Sequence, residues 1–229
     1  MHRYRSKIVL QIVHGGRQAS VSDEYPVPMA PSKVKDGHSA FMPREMTEQE
    51  ILEVIEAFTK AAVRAKKAGF DGVQLHCAHG FLLSSFISPY TNRRTDLWGG
   101  SIENRARIVT EIARRIKEEA GDSFPVLVKM NATDGFQPCC SKAKLGLDIF
   151  QAIEIAKLLE KAGICAIEVS GGISEAGGVT IRTAINTPAK EAYFKDCSKA
   201  IKSAVNIPVI LVGGIRSLQV INELLENGF

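Results

Sequence analysis

With 229 residues and 45% hydrophobic content, the chain is long enough to bury one sizeable core and unlike a fibrous or disordered protein, so one domain covering 1–229 is expected. Its net charge of +4 comes from Lys and Arg dispersed among Asp and Glu without a basic block, which argues against nucleic acid and for a small anionic ligand. Five cysteines at irregular positions give neither an even disulfide framework nor paired zinc spacing, and neither a signal-peptide pattern nor a run of roughly 18–20 apolar residues is present, so a cytoplasmic protein free of the membrane is expected.

In chain order, the periodicity predicts a short β-branched strand over 7–13 and a helix over 47–68. That helix opens on a capping box, Thr47 with Glu50, and closes at Gly69. A strand over 72–76 follows, then helix 101–120, strand 125–130, helix 148–162, strand 166–170, helix 189–204, strand 208–212 and helix 217–226. Two strands are entered through the same phrase, KAGFDGV at 67–73 and KAGICAI at 161–167, so a helix end, a glycine stop and a buried strand recur. Read as continuously apolar, the strands are expected to be covered on both faces, which points to a parallel sheet with crossover helices and an α/β class.

Polar residues cluster at the predicted C-terminal strand ends: Gln11 and His14, His76 and His79, Lys129, Ser170, and Gly213 with Gly214. Convergence from five strand ends is the habit of the (β/α)8 TIM barrel, whose sites are built at that face. Only about five β/α units are visible where a closed barrel needs eight, so the chain reads as an incomplete barrel with the shortage at both ends.

Two imidazoles three residues apart, His76 and His79, can aim at one small volume. A zinc site would need a third ligand and a helical H-E-x-x-H, which is absent. Neutral imidazoles can instead donate hydrogen bonds to a carbonyl oxygen that gains charge during reaction. The plainer reading, in which both rings satisfy nearby backbone groups, stays open here. The long loop 88–105 is too elaborate for a mere connector. It reads either as a functional loop or as a rigid one, with Arg93, Arg94 and Asp96 in an internal ion network and Ser101 capping the next helix.

The run GFDGVQLHCAHGFLLSSFISPYTNRRTDLWGGSIENR at 69–105, with QIVHGGRQ at 11–18, FPVLVK at 124–129 and VGGI at 212–215, resembles the signature segments of the old yellow enzyme family, in the branch that carries a His-x-x-His pair. The resemblance covers practically the whole chain. It implies an FMN-containing barrel that takes hydride from NADH or NADPH and passes it to an activated C=C bond of a small molecule.

On that resemblance, Gln11 meets the pyrimidine edge of the flavin, and His76 and His79 hold the substrate's carbonyl oxygen. Lys129 is the cation facing the N1 and O2 region, often an Arg in relatives, and Gly213 and Gly214 offer backbone N–H groups to the phosphate. Their alternative is a tight turn. Phe81 stands where the family has its Tyr proton donor, and a phenyl ring supplies no proton. The family's first two strands and last strand have no counterpart, so the flavin site is expected to be incomplete. Cys139 and Cys140 do not resemble a cluster site. The competing reading is a catalytically inactive fragment that persists by pairing its open barrel edges with another copy.

Overall fold

The computed structural model describes residues 1–23, 26–137, 145–177 and 180–229; Cys139 and Cys140 lie outside them. A helix or a short parallel bridge separates each strand of the main sheet from the next: β1 (Val9–Ile12), β2 (Met29–Ala30), β3 (Arg44–Glu45), α1 (Glu48–Lys67), β4 (Gly72–Cys77), α2 (Leu82–Ile87), α3 (Ile102–Ala120), β5 (Val126–Asn131), α4 (Ile149–Lys161), β6 (Ala166–Ser170), α5 (Lys195–Lys202), β7 (Val209–Leu211) and α6 (Leu218–Glu226). The main sheet runs β1-β4-β5-β6-β7, every pair parallel, while β2 and β3 form a separate two-residue bridge. Strands adjacent in space are thus consecutive in the main sheet, as in a barrel wall, and the five units form part of a (β/α)8 barrel that does not close among the described residues.

The helices begin where the residue chemistry says they should. Thr47 and Glu50 form a reciprocal capping box at α1, while Ser101, Asp148 and Ser217 accept from the third backbone N–H of α3, α4 and α6. Both copies of the repeated phrase end their helix on a left-handed glycine, Gly69 at φ 89° and Gly163 at φ 91°, a conformation that an L side chain adopts only with strain. The predicted helix 189–204 is shorter than expected: residues Pro188–Lys190 form an isolated 3-10 turn, and α5 starts only at Lys195. The six-residue α2, every residue of it buried, was not anticipated.

The reading of the strands as continuously apolar is corrected, although β4 is buried on both faces. Successive side chains of a strand point to opposite faces, and here the two faces differ in kind. Val73, Leu75, Cys77, Val126, Val128, Met130, Ile167 and Val169 are essentially fully buried, packed with Ile55 and Phe58 of α1, Ile108, Ile112 and Ile116 of α3, and Ile155 and Leu159 of α4. The alternate positions Gln74, His76, Lys129, Asn131, Glu168 and Ser170 carry polar groups on the other, inner face. No helix of the described residues is long and apolar enough to cross a membrane.

Candidate active site

Parallel register sets the inner face in rows. His76 lies opposite Lys129, Lys129 opposite Glu168, and Asn131 opposite Ser170. One row lower in the sheet, Gln11 lies opposite Gln74. Sequence positions 39 to 94 residues apart are therefore joined into one chain of polar contacts: Gln11 Nε2 donates to Gln74 Oε1 at 2.6 Å, Gln74 Nε2 donates to Glu168 Oε2 at 2.9 Å, and Lys129 Nζ lies 2.8 Å from Glu168 Oε1. Gln74 and Glu168 were not singled out from the sequence. Their signal was present all the same, since each stands two residues before a polar strand-end residue, His76 and Ser170, on the same face of its strand.

The histidine pair does converge. The His76 and His79 rings lie 5.2 Å apart, edge to face, and Phe81 packs edge-on against His76 at 4.8 Å. His76 Nδ1 accepts the Ala78 N–H at 3.3 Å, which puts the proton of the neutral ring on Nε2 and leaves it as a donor. His79 is placed by its backbone: it adopts a left-handed φ of 64°, its N–H donates to Asn131 Oδ1 at 3.1 Å, and its carbonyl accepts from Gln18 Nε2 at 2.8 Å. Its Nε2 meets Ser170 Oγ at 2.7 Å. Burial lowers both imidazoles to a pKa of about 4, assisted at His76 by the Lys129 charge and at His79 by His76 and Lys129, so both rings are neutral at pH 7. Burial also works against the charge of Glu168, yet hydrogen bonds from Lys129 and Gln74 outweigh it and hold this carboxyl below the usual range.

His14 stands apart. Its Nδ1 accepts from the Gly16 N–H at 3.0 Å, and its ring lines a cavity of about 470 Å³ with Pro26, Pro28 and Arg44 beside β1. Among the described residues no ring contact or hydrogen bond joins it to His76 or His79. Gly213 and Gly214 follow β7 at φ 124° and 70°, and a Cβ on either would crowd Tyr193 at 3.1 Å. The Gly213 carbonyl accepts from Tyr193 N, while neither glycine N–H donates to another described residue.

Around this face the loops are tied by groups whose partners lie far away in sequence. Arg17 is fully buried, ion-paired with Glu175 and 3.5 Å from Asp36, and Ser174 Oγ bridges the two carboxylates at 2.8 Å each. Asp134, fully buried, is pushed up to about 6 by burial despite hydrogen bonds from Ser88 and the Leu147 N–H. In the long loop, Arg94 pairs with Asp96 at 2.5 Å and donates to the Met46 carbonyl at 2.6 Å, and Asn92 holds the Phe86 and Trp98 carbonyls. These contacts tie the loop internally and to the residues before α1. Arg93 departs from the expected ion network and sits instead over the Tyr90 ring.

Comparison with known proteins identifies the family. Residues 1–228 match the model of the NADH:flavin oxidoreductase / NADH oxidase family. An NADH oxidase of Thermoanaerobacter brockii is 40% identical over 229 residues, covering 100% of this chain and 34% of the relative. An NADPH dehydrogenase of Clostridium acetobutylicum is 34% identical, covering 98% of this chain and 61% of the relative. In three dimensions, the old yellow enzyme homologue of Zymomonas mobilis superposes with a TM-score of 0.73 at 25% identity, over 99% of this chain and 62% of that one. The chain thus spans between about a third and two thirds of the length of the proteins it matches. The inner-face rows and the match along nearly the whole chain lead to one conclusion: this protein belongs to the NADH:flavin oxidoreductase / NADH oxidase family, the family of the old yellow enzymes.

Proposed function

We propose that the protein is an FMN-dependent NAD(P)H oxidoreductase that reduces activated C=C bonds of enone type. The observation that carries this reading is the pair of neutral imidazoles, His76 and His79, set in one face with Lys129 and Gln11. The donor set fits FMN. Gln11 brings a carboxamide that can both donate and accept, suited to the alternating groups of a pyrimidine edge, and Lys129 brings a cation beside it. Gly213 and Gly214 bring unused N–H groups suited to a phosphate.

When bound, FMN reduced by NAD(P)H would supply a hydride to the β-carbon of the substrate. The protein's own residues then have three tasks. His76 donates from Nε2 to the carbonyl oxygen, where charge develops. His79, whose Nε2 meets Ser170 Oγ at 2.7 Å, shares that oxygen through Nδ1–H in the tautomer in which the Ser170 hydroxyl donates to Nε2. Phe81, packed edge-on against His76, offers no proton, so water protonates the α-carbon and balances the reaction: one hydride and one proton enter the double bond. A cytoplasmic setting is supported by the unpaired Cys77, Cys165 and Cys197. Association through the two open sheet edges, β1 and β7, is the proposed oligomer contact.

The test is spectroscopic. Protein incubated with FMN turns yellow, loses its flavin absorbance under anaerobic NAD(P)H, and recovers it on addition of cyclohexenone. Recovery with oxygen but with no enone would contradict the substrate class.

A further inference from the structure

The inner face holds a carboxylate that the proposed chemistry leaves without a task. Glu168 is half-buried, with its side chain 16% exposed, and both of its oxygens are engaged, one by Lys129 and the other by Gln74. Taking a Lys–Glu pair out of water costs most or all of what their attraction returns, so stability alone is a poor reason for this pair. Its position is more informative. It sits in the row of His76 and Lys129, two residues before the Ser170 that meets His79.

Two consequences follow from an ionised carboxylate at this place. The first is orientation. A carboxylate only accepts hydrogen bonds, so Gln74 must turn its Nε2 toward Glu168 and its Oε1 toward Gln11. Gln11 must then give an N–H to Gln74, which leaves its carbonyl oxygen and one remaining N–H unengaged among the described residues. One charge thus sets the donor and acceptor order of two neighbouring amides. The second is the field. Lys129 alone is a point positive charge; Lys129 with Glu168 at 2.8 Å is a dipole, whose attraction for an anion falls off faster with distance.

We propose that Glu168 is a positioning residue that fixes the amide order of Gln74 and Gln11 and offsets the Lys129 charge, so that the site favours anionic, reduced FMN over neutral, oxidised FMN less than a lone lysine would. The inference rests on Lys129 as the flavin-facing cation. Its functional sense is that a reduced flavin held less tightly as an anion gives up hydride more readily. Glu168 then works against Lys129 by design: the lysine anchors the ring, and the carboxylate keeps the reduced state from becoming too stable.

The experiment is the midpoint potential of FMN bound to the 229-residue chain, together with FMN affinity from fluorescence titration, in wild type, Glu168→Gln, Lys129→Met and the double variant. At an effective dielectric of about 20, removing one charge beside an ammonium group changes the preference for an anionic ligand by about tenfold. Glu168→Gln is therefore expected to raise the ratio of reduced to oxidised FMN affinity about tenfold, which for a two-electron couple is about 30 mV more positive. Lys129→Met is expected to shift it the other way, and the double variant to lie above Lys129→Met. An unchanged or more negative potential in Glu168→Gln overturns the proposal. Should circular dichroism show that Glu168→Gln does not fold, the double variant against Lys129→Met decides on the same criterion, since it leaves no unpaired charge. Wild-type chain that takes up no FMN at all overturns the flavin reading itself and the proposal with it, an outcome distinct from an unmoved potential in a chain that binds.

Discussion

The two faces of the five-stranded sheet are made from the same strands, yet they follow different rules. On the outer face, Val73, Leu75, Val126, Val128, Ile167 and Val169 are fully buried against α1, α3 and α4, and each is interchangeable in chemistry with its neighbours. On the inner face chemistry changes from strand to strand: His76, Lys129 and Glu168 succeed one another along a single row, and each has a specific partner. One face is defined by volume and the other by the order of donors, acceptors and charges. The comparison teaches that substitutions on the outer face should change stability with little effect on the site, while those on the inner face should do the reverse.

The largest expected effect breaks the outer face. Ile112 of α3 is fully buried, and Ile112→Ala should cost about 2–5 kcal/mol of unfolding free energy, read as a lowered urea midpoint with the slope unchanged. Among the molecules still folded, FMN uptake per mole should match the wild type; a proportionate loss of flavin affinity would dissolve the distinction between the faces. On the inner face, Ala at both His76 and His79 should lower kcat/KM for enones by about 10²- to 10³-fold, with kcat falling as well as KM rising and FMN content near normal. Loss of FMN in that variant would move the pair from the substrate to the flavin.

Phe81→Tyr places a phenol beside His76 and should accelerate alkene reduction by about 10²-fold if protonation limits turnover, because positioned acids contribute at that scale. An unchanged rate in single-turnover measurements would show that the proton has another adequate source. The pH profile sharpens the same face. With both imidazoles near a pKa of about 4, enone binding should be flat from pH 8 to 5 and fall as pH drops through about 4, where protonated His76 Nδ1 can no longer accept the Ala78 N–H. The folded pKa values lie below the unfolded value of 6.5, so the unfolded chain gains protons first as pH falls. Wild type should therefore lose stability relative to His76→Gln/His79→Gln between pH 6.5 and 4, and an enone-binding profile that breaks near 6.5 would contradict the burial of the pair. The smallest effect lies outside both faces: Thr47→Ala removes the α1 capping box and should cost about 1 kcal/mol, seen in thermal melts with activity unchanged.

Much of the outer face was legible in the sequence. Strand and helix positions followed from β-branched runs and helical spacing, and the caps at Thr47, Ser101, Asp148 and Ser217 are local chemistry that any reader of the chain can find. The inner face was legible only at its rim. His76, His79 and Lys129 stood out as polar residues at strand ends, but Gln74, Asn131 and Glu168 were hidden by reading short strands as uniformly apolar, although each keeps the two-residue alternation of one face. Contacts such as Arg17 with Glu175, 158 residues apart, follow no period at all, because they depend on how separate loops come together at the end of the sheet. Helix α2 was missed for another reason: six residues are too few to show a helical period.

An anaerobic titration decides whether the inner face is a flavin and enone site. Protein mixed with FMN should quench flavin fluorescence at one FMN per chain, bleach under NAD(P)H and regain its colour with a stoichiometric enone, with Lys129→Met and Gln11→Ala each weakening uptake. Protein that leaves FMN fluorescence untouched, or that binds FMN equally well in both variants, would contradict the account.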